Sequence, residues 1–292
     1  KQQVTTELTK WTEPKGCETR DAFCFFYDTT NKGIVGQTPS FGSDEYNDHH
    51  FHYGYFLYAA GVLAADDPEL ATKLAPVMNL LAADIATSPG NEHFLSRRNF
   101  DSYASHSWAS GTVPFADGNN QESASEAVTA YAGLTLWAQA SGNKALEVEA
   151  RWMHALEGAS AQAYWTNFNL SDPVYSGFTH KVMPLNWGGK RDYATWFSAE
   201  PAAALAILLI PVSPSSDQLK GDAARIAENV AEGVGTKGFN QQYGDYILMY
   251  SALAGEDARV KALDALRKFD KSKIDDGNTY SYTLAWLLSL KP

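Results

Sequence analysis

No stretch of this sequence is long enough and apolar enough to cross a bilayer. The longest wholly apolar run, Ala202–Ile210, has nine residues and is closed off by Pro201 and Pro211, about half of the ~20 that a spanning helix needs. Basic residues are scarce too: 23 Lys and Arg stand against 34 Asp and Glu, a formal charge of −11, and no Lys/Arg cluster stands out. That field repels phosphate backbones, which argues against nucleic acid and for a neutral ligand. Lys1–Thr12 carries no signal peptide, so the expectation is a mature or excised chain. Cysteine is nearly absent. Cys17 and Cys24, with six residues between them, either close one small disulfide loop in an oxidising compartment or remain two thiols. No segment repeats well enough to be a sequence repeat.

What the chain has in quantity is aromatic surface, with 8 Trp, 15 Tyr and 14 Phe. Sugars stack on such faces, although aromatics more often fill cores. Charge is also distributed unevenly. His49–Ala65, Ser123–Ala140 (one charge, Glu126), Glu200–Ile210, Tyr246–Ala254 and Thr279–Leu290 are almost uncharged, whereas Pro68–Thr87, Lys144–Glu157, Asp217–Glu232 and Glu256–Lys271 mix charge with apolar positions. A helix apolar all round is buried, and a one-sided one faces water. Their alternation predicts helical hairpins with inner first members and outer second members: an all-α fold, an α/α toroid. With Val4–Trp11 as an outer fragment, a six-hairpin ring counted from Lys1 lacks its first pair. The alternative is an irregular helical bundle. Ala22–Tyr27 reads as a strand, Gly33 to Gly42 as a loop, and Val174–Val182 as a strand within an insertion.

Two stretches carry the chemistry. Tyr46-Asn47-Asp48-His49-His50-Phe51-His52-Tyr53-Gly54-Tyr55 places a carboxylate and three imidazoles at the mouth of an uncharged helix, a costly arrangement unless something uses it. Asn120-Gln121-Glu122-Ser123-Ala124-Ser125-Glu126 spaces two glutamates four apart, which in a helix puts both on one face, opposite Ala127, Val128, Tyr131 and Leu134. Facing carboxylates are the minimum kit for glycoside hydrolysis, with a gap of about 6.5–9.5 Å in an inverting enzyme and about 5–5.5 Å in a retaining one. The bland readings are an Asp48 N-cap and a dipole-favoured pair of first-turn glutamates. Asp48, His49 and His52, joined by His106, would also make a zinc set, since i and i+3 share a helical face. In the loop 186–197, Gly188 and Gly189 allow close backbone approach, while Trp187, Tyr193 and Trp196 supply stacking faces.

The strings YNDHHFHYGYFLYAAGVLA, RNFDSYASHSWASG, FADGNNQESASEAVTAYAGLTLW and WGGKRDYATWF resemble, in order and spacing, glycoside hydrolase family 81. The resemblance runs from Phe26 to Pro211. It implies an (α/α)6 barrel and inverting endo-hydrolysis of β-1,3-glucans, laminarin-type or from cell walls, with no metal or other cofactor in the chemistry. It makes Asp48 the general acid, Glu122 the general base and Glu126 a supporting carboxylate. The expected substrate contacts are Tyr46, His52, Tyr53, His106, Trp108, Asn120, Trp187, Lys190, Asp192, Tyr193 and Trp196. The family's N-terminal β-sandwich and first barrel helices have no counterpart in the sequence. The expectation is therefore a segment 1–45 packing on a catalytic toroid 46–292, with Trp11, Phe23, Phe25 and Phe26 as a plug, or association with the missing part. A secreted location follows from the resemblance. A non-catalytic β-1,3-glucan-binding protein on the same scaffold is the alternative.

Overall fold

The alternation of uncharged and charged segments becomes a succession of helices. The computed structural model describes residues 1–112 and 115–290. These fall into two compact units, Lys1–Gln121 with Glu126–Glu157, and Glu122–Ser125 with the chain from Gly158 onward.

The first unit contains α1 (Gln2–Trp11), β1 (Cys24–Asp28), β2 (Gly33–Gln37), α2 (His49–Ala64), α3 (Pro68–Ala86), β3 (Phe100–Asp101), β4 (His106–Ser107), β5 (Asn120–Gln121), α4 (Ala124–Ala140) and most of α5 (Lys144–Ser160). Asp67 starts α3 by accepting from the Leu70 amide, with Pro68 in the first turn where its missing N–H costs nothing. Leu57 and Ala60 of α2, Leu74 and Leu81 of α3, Tyr131, Leu134 and Trp137 of α4, and Met153 of α5 form one core. The Trp137 indole donates to Asn79 Oδ1 at 3.0 Å, which satisfies its buried N–H. Helices α2 and α4 meet backbone to backbone. A Cβ on Gly54 would lie 2.5 Å from Ala130 Cα, one on Gly61 2.7 Å from the Trp137 nitrogen, and one on Gly133 2.7 Å from the Tyr58 nitrogen.

The strand expected near Ala22–Tyr27 is present, but it pairs with a second one. β1 and β2 form an antiparallel hairpin with Cys24 opposite Gln37 and Asp28 opposite Gly33, where the glycines had suggested a loop. Gly33 serves close packing, since a Cβ there would lie 2.4 Å from the Tyr46 ring. Asp28 makes the turn by accepting from the Thr30 amide and the Asn31 side chain. Cys17 and Cys24 are disulfide-bonded. Of the expected aromatic plug, Trp11 and Phe25 pack edge-on against Phe56 of α2 at 5.4 and 5.3 Å, while Phe23 and Phe26 are exposed.

The second unit holds the hairpin β6 (Leu185–Trp187) and β7 (Arg191–Asp192), then α6 (Pro201–Ala206), α7 (Ala223–Val234), α8 (Gly244–Ser251), α9 (Glu256–Arg267) and α10 (Tyr280–Ser289). α6 packs on α7 and α8, and α10 on α8 and α9. α6 stops short of the expected Ile210, because a residue before proline is pushed out of the helical region. Ser125 Oγ donates to the freed Ile207 and Ile210 carbonyls. α7 starts at Ala223 rather than Asp217, with Asp222 accepting from the Ala224 amide. The strand expected over Val174–Val182 is absent. Asp172 and Pro173 start a 3-10 turn there, and Gly177 takes a positive φ that breaks any extension. Trp286 is buried, its indole donating to the Met249 carbonyl at 3.1 Å. The all-α class read from the sequence is observed.

Candidate active site

In the first unit, the backbone at Asp48 is held in a left-handed turn. Tyr46 and Asp48 have φ of 68° and 58°, a conformation that costs of order 1–3 kcal/mol per non-glycine residue and persists where surrounding structure imposes it. Three contacts impose it here. The Asp48 amide donates to the Ala109 carbonyl at 2.8 Å, the Asn47 side chain accepts from the Gly111 amide at 2.7 Å, and the Asp48 carbonyl accepts from the His52 amide. Asp48 occupies the cap position of α2, yet its carboxylate makes no capping bond.

Directly after Asp48, His49 is fully buried. Its Nε2 donates to the Ser43 carbonyl at 2.7 Å, leaving Nδ1 to meet Asp84 Oδ2 at 2.7 Å. Asp84 also accepts from the Ile34 amide and lies 3.3 Å from Arg98 Nε, so one buried carboxylate of α3 ties β2, the Arg98 loop and the first turn of α2. His50 and His52 follow. Burial holds His50 down to about 3 and His52 to about 4, with the charge of His49 adding to both. Both are neutral at physiological pH. The zinc alternative loses its ligand set: His49 is engaged by Asp84 and Ser43, and among the described residues no group of three or more His, Cys, Asp or Glu side chains is arranged to hold a metal.

Glu126 lies in the first turn of α4 and accepts from the Tyr55 hydroxyl of α2 at 2.7 Å. Glu122 does not share its face, contrary to expectation: α4 begins at Ala124, and Glu122 precedes it. In the second unit, Glu122 Oε1 accepts from the Trp196 backbone amide at 2.8 Å. The exposed Trp196 ring meets Trp187 edge-to-face at 5.5 Å. Asp192 accepts from the Trp187 indole at 3.0 Å and pairs with Lys190 at 3.1 Å. Trp187, Lys190, Asp192 and Trp196 thus form one small platform, joined to Glu122 through the Trp196 amide. Tyr193 stacks flat on His180 at 3.5 Å, which covers one of its faces.

The remaining expected substrate contacts are engaged within the chain itself. Tyr53 is buried against Phe25, its hydroxyl donating to the Ile34 carbonyl. Tyr46 is buried beneath Arg98 and donates to Asp28. Burial raises the pKa of both phenols. Asn120 is buried and bonded to Ser110, and His106 is buried with Nδ1 on the Ser107 carbonyl. Trp108 is half-buried beside His106 and donates to Asp101. A further group escaped the sequence reading. Glu157 is fully buried, accepts from the Ser107 amide and hydroxyl at 2.8 and 2.9 Å, and is pushed up to about 8 by burial. The signal that was available was an acidic residue on an otherwise apolar helix turn, as at Asp84.

The profile of the glycosyl hydrolase family 81 C-terminal domain matches residues 1–288. The chain belongs to this family. Within family 81 it is 36% identical to a glucan endo-1,3-β-D-glucosidase of Acetivibrio thermocellus, over 98% of this chain and 37% of that protein. A glucan endo-1,3-β-D-glucosidase of Thermobifida fusca is 31% identical over 91% of this chain and 35% of its own length. A solved family 81 structure from Clostridium thermocellum, a glutamate-to-alanine variant, superposes with a TM-score of 0.87 at 34% identity, covering 98% of this chain and 40% of that one. The chain thus spans well under half the length of these family 81 relatives.

Proposed function

We propose that this chain carries the hydrolytic centre of an inverting endo-β-1,3-glucanase. Asp48 gives its proton to the glycosidic oxygen as that bond breaks. Glu122 takes a proton from the water that attacks the anomeric carbon from the opposite face, and Glu126 supports the water side. The observation that carries the reading is the bond from the Trp196 amide to Glu122. A backbone donor favours the ionised carboxylate, the form a base needs, and the same residue presents an exposed indole on which a sugar can stack. The Cys17–Cys24 disulfide suits an oxidising, extracellular setting, and one relative, from Schizosaccharomyces pombe, is named a primary septum glucan endo-1,3-β-D-glucosidase.

The test is reducing-sugar release from laminarin together with the anomeric form of the first product. Release with initial α-configuration is expected. Initial β-configuration would overturn the inverting assignment, and binding without release would favour a glucan-binding role.

A further inference from the structure

Glu157 of α5 is fully buried, and the hydrolytic roles leave it unused. A carboxyl is costly to take out of water, and one that only filled space would be better replaced by an apolar side chain. Its Oε2 accepts from the Ser107 amide and hydroxyl at 2.8 and 2.9 Å, and the Ser107 hydroxyl meets the Tyr131 hydroxyl of α4 at 2.6 Å. Ser107 ends β4 and opens a run of chain in which every amide is pinned. The Trp108 amide donates to the Asn99 carbonyl, the Ala109 amide to the Asn120 carbonyl, the Ser110 amide to Asn119 Oδ1 and the Gly111 amide to Asn47 Oδ1. Ala109 is bonded on both sides, because its carbonyl takes the Asp48 amide at 2.8 Å. The four asparagines lie in loops, turns or a two-residue strand, whereas Glu157 and Tyr131 project from the long helices α5 and α4. The rigid reference for this run is therefore the helical core, and Glu157 grips it two residues from the carbonyl that holds Asp48.

We propose that Glu157 is a positioning residue for Asp48: through Ser107 and Ala109 it fixes the left-handed backbone from which the Asp48 carboxylate projects. The proposal rests on the reading of Asp48 as general acid. Misplacing a reacting group by about 1 Å can cost on the order of a hundredfold in rate, so an anchor outside the site acts on turnover. Burial pushes the Glu157 carboxyl up to about 8, so at neutral pH it is largely protonated and holds Ser107 as a neutral acceptor. A glutamine offers the same acceptor oxygen in the same place. A leucine fills the space and offers none.

The test compares Glu157→Leu, Ser107→Ala and Glu157→Gln with the unaltered chain. It measures kcat and KM per folded molecule on laminarin, and on a β-1,3-gluco-oligosaccharide whose dinitrophenolate departs without a proton. Glu157→Leu should lower kcat on laminarin about 10–100-fold with KM within about twofold. Ser107→Ala, which keeps the amide anchor, should lose about threefold, and Glu157→Gln should stay within about twofold of the unaltered chain. On the activated substrate the losses should shrink, because a displaced acid matters only where the leaving group needs its proton. Folded variants with unchanged kcat, equal losses on both substrates, or a Gln variant as slow as the Leu one would each overturn the proposal. Should Glu157→Leu not fold, Ser107→Ala decides. Hydrogen exchange separates the proposal from the hydrolytic reading: the Asp48 amide should exchange faster in Glu157→Leu and Ser107→Ala while the α3 amides do not. A chain that cleaves no glucan but shows this pattern would refute the hydrolytic reading and leave the coupling of Glu157 to Asp48 standing. Unchanged exchange at Asp48 would overturn the coupling.

Discussion

The two candidate catalytic carboxylates are held in contrasting ways. Asp48 sits where fully buried polar groups meet: His49 and Asp84 lock the first turn of α2, and Ala109 fixes the Asp48 amide. Glu122 is gripped by one amide of a loop whose rings, Trp196 and Phe197, face solvent. The setting of Asp48 is part of the fold's core, so disturbing it disturbs folding. The setting of Glu122 is a surface loop, which can be altered with little cost to the remainder.

Removing the chemistry itself should treat both residues alike. Asp48→Asn and Glu122→Gln are each expected to lower laminarin turnover about 10²–10⁴-fold with melting temperature nearly unchanged; a variant retaining a tenth of turnover would strip that residue of its role. One layer out, the two settings should part. Asp84→Asn leaves His49 and Arg98 facing a buried neutral amide and should cost about 3–5 kcal/mol of stability, read by denaturant unfolding. A loss under about 1 kcal/mol would show that the acid's setting is not built into the core.

The pH dependence of stability sharpens the same contrast, because Glu157, His50 and His52 all lie in the first unit. Glu157 binds its proton more tightly folded (about 8) than unfolded (4.5), so its contribution is complete below about pH 4.5 and is lost as pH rises towards 8. His50 and His52, lowered from 6.5 to about 3 and 4, contribute in full above about pH 6.5 and lose that as pH falls. Glu157→Gln should flatten the decline in melting temperature between about pH 4.5 and 8 without altering the loss at lower pH; an unchanged decline over that window would mean another group controls it. The smallest effect is expected at the base's loop. Trp196→Ala keeps the amide that holds Glu122, so KM for glucan should rise several-fold while stability moves by no more than about 0.5 kcal/mol.

Much of this arrangement was legible in the sequence. The order and type of the helices followed from where charge is missing, because burial on all sides and absence of Lys, Arg, Asp and Glu are the same physical fact. Ends were less legible: α6 closes early under the constraint of Pro211, and α4 opens at Ala124, which takes Glu122 off the helix. β2 was hidden because Gly33 suggests a turn when it makes room for the Tyr46 ring. Around Asp48, the composition suggested sugar contacts for Tyr46 and Tyr53, whose rings are buried in the core. Asp84 and Glu157 meet partners 35 and 50 positions away, and local spacing carries no trace of such a meeting.

The seam between α2 and α4 bears on how this protein responds to heat. Helices separated by side chains loosen as those side chains hop among rotamers, and the spacing between their axes drifts. At Gly54, Gly61 and Gly133 main chain lies against main chain, and a peptide unit has no rotamers to explore. The distance across this seam is therefore fixed by covalent geometry and van der Waals radii, which barely change with temperature. The main-chain anchors of the Tyr55–Glu126 bond, formed across the same two helices, inherit that invariance: their separation should hold until the unit unfolds as a whole, with no gradual opening beforehand.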